Sequence, residues 1–291
     1  MPLLDALLTG AIAGGVYGLL ALGLALQYGV ARILNLAYGE AVALAGIATA
    51  LLYQGLTLSP LVALVALPPL FALGNLLLHR LLFLPLVGRT LALDGENEGR
   101  LILLTFGLSF LIQGLLAAEL GGRLFSYSYL GQGVSLGTTA VALNRLLAFG
   151  VALALVVLAH LVLTRTRLGM AARALSREPE EALLVGIPAV RLSAWAFALG
   201  GGVGAAAGVL LSMFHTLTPA SGPELTLKAL VVVILGGLGG APGALLGGVA
   251  LGLAEALVTR FVNPGLSMAA VYGLFVLAVL YLRGNREVAR Q

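Results

Sequence analysis

Cysteine is absent from the chain, which excludes disulfides, thiolate zinc sites and iron–sulfur clusters. Charge is scarce: 10 % of residues are Asp, Glu, Lys or Arg, against roughly 25 % in a soluble domain. Lysine occurs once, at Lys228, between Leu227 and Ala229. A phosphate-binding loop needs Gly-Lys followed by Ser or Thr, so this chain cannot bind a nucleotide in that way. Any ATP consumed in its work is hydrolysed by another chain. The three histidines, His79, His160 and His215, are far apart in sequence and lack metal-ligand spacing. Neither a metal nor an organic cofactor is expected, and an enzyme active site has no residues to build it. Basic residues interleaved with aromatics on one face are also missing, which removes nucleic acid as a partner.

What is present is hydrophobic. The 291 residues are 60 % apolar, with a mean hydropathy of +1.08. A bilayer crossing takes about 20 such residues. Apolar runs near 3–28, 33–54, 61–82, 101–119, 146–163, 191–213, 227–237, 243–262 and 267–283 predict an all-α polytopic membrane protein of eight or nine transmembrane helices, some broken. The 227–237 run is short enough to be a half-helix or re-entrant piece. Residues 1–291 read as a single transmembrane domain, because no polar stretch is long enough to fold separately. The first apolar run is too long for a cleaved signal peptide and lacks a basic leader, so it is expected to persist as the first span.

Orientation follows from counting basic residues. With the N-terminus outside, inner segments collect Arg32, Arg80, Arg89, Arg100, five arginines of 164–191, Arg283, Arg286 and Arg290. Arg123, Arg145, Lys228 and Arg260 fall outside. Twelve against four is the expected inward bias. The N-terminus is therefore assigned outside, and the C-terminus and the polar 164–190 loop to the cytoplasm.

That loop has readable local structure. Glu178 stands in position to cap a helix, Pro179 suits its first turn, and Glu180 and Glu181 favour its positive end. Gly186 suits the left-handed position after the last turn, and Pro188 prevents continuation. A helix over Pro179–Val185 follows, presenting Leu183 and Leu184 to something other than water. The two readings are docking into a partner's groove and resting on lipid headgroups.

Forty glycines include four-residue series: Gly10, Gly14 and Gly18; Gly200, Gly204 and Gly208; Gly239, Gly243 and Gly247; and the pair Gly248 and Gly252. Such spacing lets helix backbones approach. The cluster Leu235–Gly243, holding Gly236, Gly237, Gly239, Gly240 and Pro242, does not sustain a regular helix. It reads either as a broken segment lining a water-filled path or as a turn between spans. Glu40, Glu119 and Glu255 lie in or beside apolar runs, where carboxylates mark pathways or polar pairs. Asn35, Tyr38 and Glu40 fall within about a turn and a half of helix. They are candidates for a path wall, with an interhelical contact as the alternative. Glu224 and Lys228 have the spacing of a helical ion pair at the outer mouth.

Three motifs in order, Gly14–Gly18 leading to Asn35–Glu40, Arg167–Ala174 leading to Ala182 and Gly186-Ile187, and Lys228-Ala leading through Leu235–Gly248 to Glu255, resemble the permease subunits of ATP-binding-cassette importers. The likeness is to the LivH-type branched-chain amino acid family and spans nearly the whole length. It implies that Gly169, Arg173, Ala174, Glu178, Pro179, Ala182, Leu183, Leu184, Gly186 and Ile187 belong to a loop that seats in an ATPase subunit. It also implies two ATPase subunits, a second permease subunit forming a heterodimer or homodimer, an extracytoplasmic substrate-binding protein, and a prokaryotic inner membrane. Met170 stands where relatives often carry a basic residue, and Tyr38 where they often carry histidine. A sister importer for sugars, nucleosides, urea or short amides shares the scaffold. An ion-coupled transporter built on broken helices is the more distant alternative, and it would need coupling-ion ligands near the midplane.

Overall fold

The computed structural model describes residues 2–87, 95–136, 139–237, 240–269 and 271–277. Its helices are α1 (Pro2–Ala31), α2 (Tyr38–Leu56), α3 (Pro60–Leu78), α4 (Leu84–Val87), α5 (Gly95–Leu120), α6 (Leu143–Arg165), α7 (Arg167–Arg177), α8 (Pro179–Leu184), α9 (Ala189–Ser212), α10 (Gly222–Gly236) and α11 (Ala241–Phe261). A π turn, His79–Phe83, joins α3 to α4. Arg89, Gly239, Arg283, Arg286, Arg290 and the end of the last apolar run lie outside the described residues.

Among the described residues seven helices are long and apolar enough to cross a bilayer: those within 3–31, 38–56, 60–86, 97–120, 143–165, 189–212 and 241–261. A shorter apolar helix covers Ser267–Leu277. The doubtful 227–237 run resolves as part of α10, which starts earlier, at Gly222. Its 15 residues reach about 22 Å, short of a hydrocarbon core of about 30 Å. α10 is thus a partial span. The polar connection 120–145 holds the fold's only described sheet, an antiparallel hairpin of β1 (Gly133–Leu136) and β2 (Thr139–Ala142), with Gly133 opposite Ala142.

α1 occupies the centre and packs against α11, α9, α6 and α10. Its middle is apolar on every side, and Val16, Leu19, Leu20, Ala21 and Leu24 are fully buried. A helix without a polar face must be surrounded, and this one is. The glycine series make the surrounding close. Opposite Gly14, a Cβ would meet Gly248 O and Val249 Cα at 2.6 Å, so α1 and α11 touch backbone to backbone. Gly10 and Gly18 face Gly252 and Leu245 in the same seam. Gly200, Gly204 and Gly208 of α9 meet Gly23, Tyr38 and Val42. By contrast α5 exposes Leu103, Phe106, Phe110, Leu111 and Leu115, an apolar face suited to lipid or another subunit.

On the side away from the α6–α9 connection, Tyr53 stacks on Tyr127 with ring centroids 4.8 Å apart. Tyr127 Oη lies 2.9 Å from Ser212 Oγ. Burial pushes the Tyr127 phenol up to about 12, so it stays neutral and can donate a hydrogen bond.

Candidate functional site

The 164–190 loop is more ordered than its sequence announces. Thr166 Oγ1 accepts from Gly169 N at 3.1 Å and donates to Val162 O at 2.6 Å, turning α6 directly into α7. Gly169 lies against the Val162 and Leu163 backbone, where a side chain would collide. α7 buries Gly169, Ala172 and Leu175, one residue per turn on a single face, and that three-residue spacing is the signal the sequence reading passed over. Ala174 O receives Glu178 N at 2.9 Å, closing the helix.

α8 follows at once. Glu178 occupies the capping position, yet its side chain makes no capping bond, contrary to expectation. Its carbonyl accepts Ala182 N at 3.0 Å instead. The helix ends at Leu184 rather than Val185, which caps it and donates its N–H to Glu181 O at 3.2 Å. Gly186 has φ +80°. Its N–H donates to Leu183 O at 3.0 Å, and Ile187 N donates to Ala182 O at 3.1 Å. These two bonds satisfy the terminal carbonyls in a Schellman arrangement. Ala182 points inward and packs with Ile187 in a small core shared with α7 and α9. Leu183, Leu184 and Val185 are 43, 87 and 77 % exposed. A folded, anchored helix therefore holds three aliphatic side chains outward.

Its anchor reaches α1. Arg32, just past the end of α1 and at φ +57°, donates from Nη2 to Ser176 O at 2.7 Å. That carbonyl is one of the unsatisfied groups at the negative end of α7, where a cation is favoured. Nothing in the sequence announces this link, since 144 residues separate the partners.

Beside α7 lies a cavity of about 200 Å³, lined by Arg173 and Ser176, by His160 and Thr164 of α6, and by Gly240 and Pro242. The described part of the glycine cluster thus lies where α10 ends and α11 begins, next to the loop segment. Gly236 and Gly243 press backbone to backbone, and Gly237 and Gly240 take φ +73° and +127°.

Asn35, Tyr38 and Glu40 belong to a different place. After Arg32 the chain leaves helical geometry until Tyr38, whose hydroxyl donates to Leu20 O at 2.7 Å. The irregular stretch thus runs back along α1. Backbone freed in this way needs partners when buried. Thr105 Oγ1 supplies Leu34 O at 3.2 Å, Thr226 Oγ1 supplies Leu36 O at 3.1 Å, and Tyr38 N supplies Asn35 O at 3.2 Å. Asn35 Nδ2 donates to Gln27 Oε1 at 3.0 Å, and Gln27 Nε2 reaches Asn75 Oδ1 and Phe197 O. Glu40 is fully buried. It accepts from Ser109 Oγ at 3.1 Å and packs against Gly222 at the start of α10.

Glu255 sits in a third place. Lys228, 1 % exposed, puts Nζ 2.9 Å from Glu224 Oε1 and 3.0 Å from Glu255 Oε1. It also donates to Tyr17 Oη at 3.4 Å and lies 5.0 Å from that ring's centre. The expected ion pair of Glu224 and Lys228 is present, as part of a network around the buried Lys228 that joins α1, α10 and α11. Among the described residues no group of three or more His, Asp or Glu is placed to hold a metal ion. Glu119 lies at the exposed end of α5, apart from all three places.

Comparison with known proteins bears on this arrangement directly. Residues 6–282 match the family model described as the branched-chain amino acid transport system permease component. The chain belongs to that permease family. A high-affinity branched-chain amino acid transport system permease protein, LivH of Salmonella typhimurium, is 27 % identical over 297 residues, covering 96 % of this chain and 93 % of the relative. BraD of Pseudomonas aeruginosa, of the same description, is 28 % identical with 99 % and 97 % covered. The ribose import permease protein RbsC of Bacillus subtilis is 29 % identical over 54 % of this chain and 47 % of its own. No solved structure matches. This permease is accordingly an inner-membrane transport subunit and not an enzyme, working with a separate ATPase and other subunits.

Proposed function

We propose that this permease carries branched-chain amino acids inward, driven by ATPase subunits that grip α7 and α8 from the cytoplasm. The exposed Leu183-Leu184-Val185 knob carries the reading: it is rigidly capped, anchored by Ala182 and Ile187, and continuous with α1 through Arg32. A helix meant only to rest on headgroups has no need of that tether. The match to LivH and BraD along nearly the full length supports the substrate class. The assembly is two permease chains, identical or different, two ATPases and an extracytoplasmic binding protein. Gly169, Arg173, Ala174, Glu178, Pro179, Ala182, Leu183, Leu184, Gly186 and Ile187 form the coupling segment. ATP-driven approach of the two ATPases would draw the paired α8 helices together and swing α1 with them.

Asn35, Tyr38 and Glu40 form one part of the proposed route, and Glu255 belongs to another. Gly236, Gly237, Gly240 and Pro242, with Gly239 by its place in the sequence, are proposed to act beside the coupling segment. The ribose permease matches half the chain, so a sugar is the second reading. Uptake into vesicles carrying the reconstituted complex tests both, with leucine, ribose and urea as competitors. Leucine alone should block uptake of labelled leucine. Stronger competition by ribose would transfer the assignment to sugars, and uptake without ATP would remove the ATPase from the scheme.

A further inference from the structure

At the end of the molecule opposite the coupling segment, a cavity of about 530 Å³ opens between α1, α6 and α11. Arg145 and Glu255 both line it, with Tyr17, Thr9 and His215 between them. An adjoining lobe adds Ile12, Ala13 and Phe214, an apolar wall. The proposed function makes no use of Arg145.

Arg145 is oddly placed. It lies in the first turn of α6, where the helix dipole disfavours a cation. No carboxylate of the described residues stands within ion-pairing distance of it. The turn is nonetheless held firmly, because Asn144 Nδ2 donates to Met213 O at 2.8 Å and Asn144 N to Leu130 O at 3.1 Å. Across the cavity the balance is reversed. Lys228 is shared between Glu224 and Glu255, so two carboxylates meet one ammonium, and Glu255 remains 17 % exposed. Taken together, Arg145, Lys228, Glu224 and Glu255 sum to zero charge, with the surplus positive group on α6 and the surplus negative one on α10 and α11. Asp5 and Arg260, which also line the cavity, cancel as well.

We infer that this cavity is a receiving site for a free zwitterionic aliphatic amino acid, with Arg145 taking its carboxylate and Glu255 its ammonium. The inference rests on the transport reading above and names the subsite through which the substrate passes. The side chain of such a ligand lies against Ile12, Ala13 and Phe214, where burial of apolar surface favours it. A pocket with a few fixed polar groups and apolar walls is the usual form of a small-molecule site. A sugar lacks both charges, and a simple cation or anion would match only one wall.

Labelled leucine binding to the intact complex in nanodiscs, without the external binding protein, tests the inference. Binding is expected for the wild type, weakened at least tenfold by Arg145→Gln and less by Arg145→Lys. Leucinamide and 4-methylpentanoate, each lacking one pole, should compete at least tenfold less well than leucine. These competition measurements need no variant, and co-elution of the Arg145→Gln permease with its ATPase subunits on size exclusion reports that the complex is folded. Unchanged affinity in a folded Arg145→Gln complex, equal competition by the one-pole analogues, or no binding by the wild type overturns the site. Weaker capture of the external binding protein with leucine affinity unchanged overturns it too, assigning Arg145 to protein docking. If ATP-driven leucine uptake survives such a result, the transport reading stands alone; if the wild-type complex takes up no leucine, both fall.

Discussion

Lys228 is the residue on which most of the buried charge depends. Replacing it with methionine leaves Glu224 and Glu255 facing each other and the Tyr17 hydroxyl without their cation. Breaking a buried pair on one side costs about 3–5 kcal/mol. Lys228→Met should therefore lose most of its folded yield in detergent, read by size-exclusion profile and thermal melting. Adding Glu224→Gln and Glu255→Gln should recover part of the loss, since neutral amides need no counter-charge. If the single and triple variants melt together, the network is not what holds α10 to α11. The sequence displayed the Glu224 and Lys228 spacing, and that pair exists. It could not display Glu255 as the third member, because Glu255 lies 27 positions beyond Lys228 and on a different helix, α11. Arg32 was hidden for the same reason: its partner is a backbone carbonyl, which leaves no trace in residue type.

At the level of elements, helix-to-helix distance is set where side chains are missing. Gly14→Leu should force α1 from α11 and destabilise by about 1–3 kcal/mol, the range for overpacking a tight contact. Gly107→Ala on α5, where a Cβ meets nothing within 4 Å, should be neutral or slightly stabilising in the same melting assay. The four-residue glycine series announced this seam plainly. The α8 helix was equally plain, because proline, acidic residues and glycine stand in the order a short helix requires. α7 was missed because its buried face is made of Gly169, Ala172 and Leu175, two of which look unremarkable in a chain this rich in small residues. Gly186 supplies the next test. At φ +80°, Gly186→Val strains the turn by roughly 1–2 kcal/mol, whereas Gly186→Asn tolerates it. Transport per ATP hydrolysed should fall in the valine variant and stay near normal in the asparagine variant. Equal coupling in the two would detach the turn from force transmission.

Across the whole molecule, the arrangement of spans came from hydropathy alone, and seven of the apolar runs are membrane-length helices. Sidedness is a separate matter, carried by the arginine bias. The natural lack of cysteine makes it measurable without background. A single Leu184→Cys substitution, in the permease expressed without its ATPase subunits, should react with a membrane-impermeant maleimide in inside-out vesicles and be protected in intact cells. The reverse pattern would place the coupling segment outside and remove its partner ATPase.

The unwound stretch between Arg32 and Tyr38 has a mechanical consequence. Its carbonyls are gripped by hydroxyls from two other helices, Thr105 at Leu34 and Thr226 at Leu36. A small push on α1 can bend such a joint only elastically. A large one must release a grip, at about 1 kcal/mol for each hydrogen bond surrendered. Motion through the protein's centre would then proceed in steps rather than as one smooth bend, each step low enough for thermal energy to cross and for a power stroke to bias.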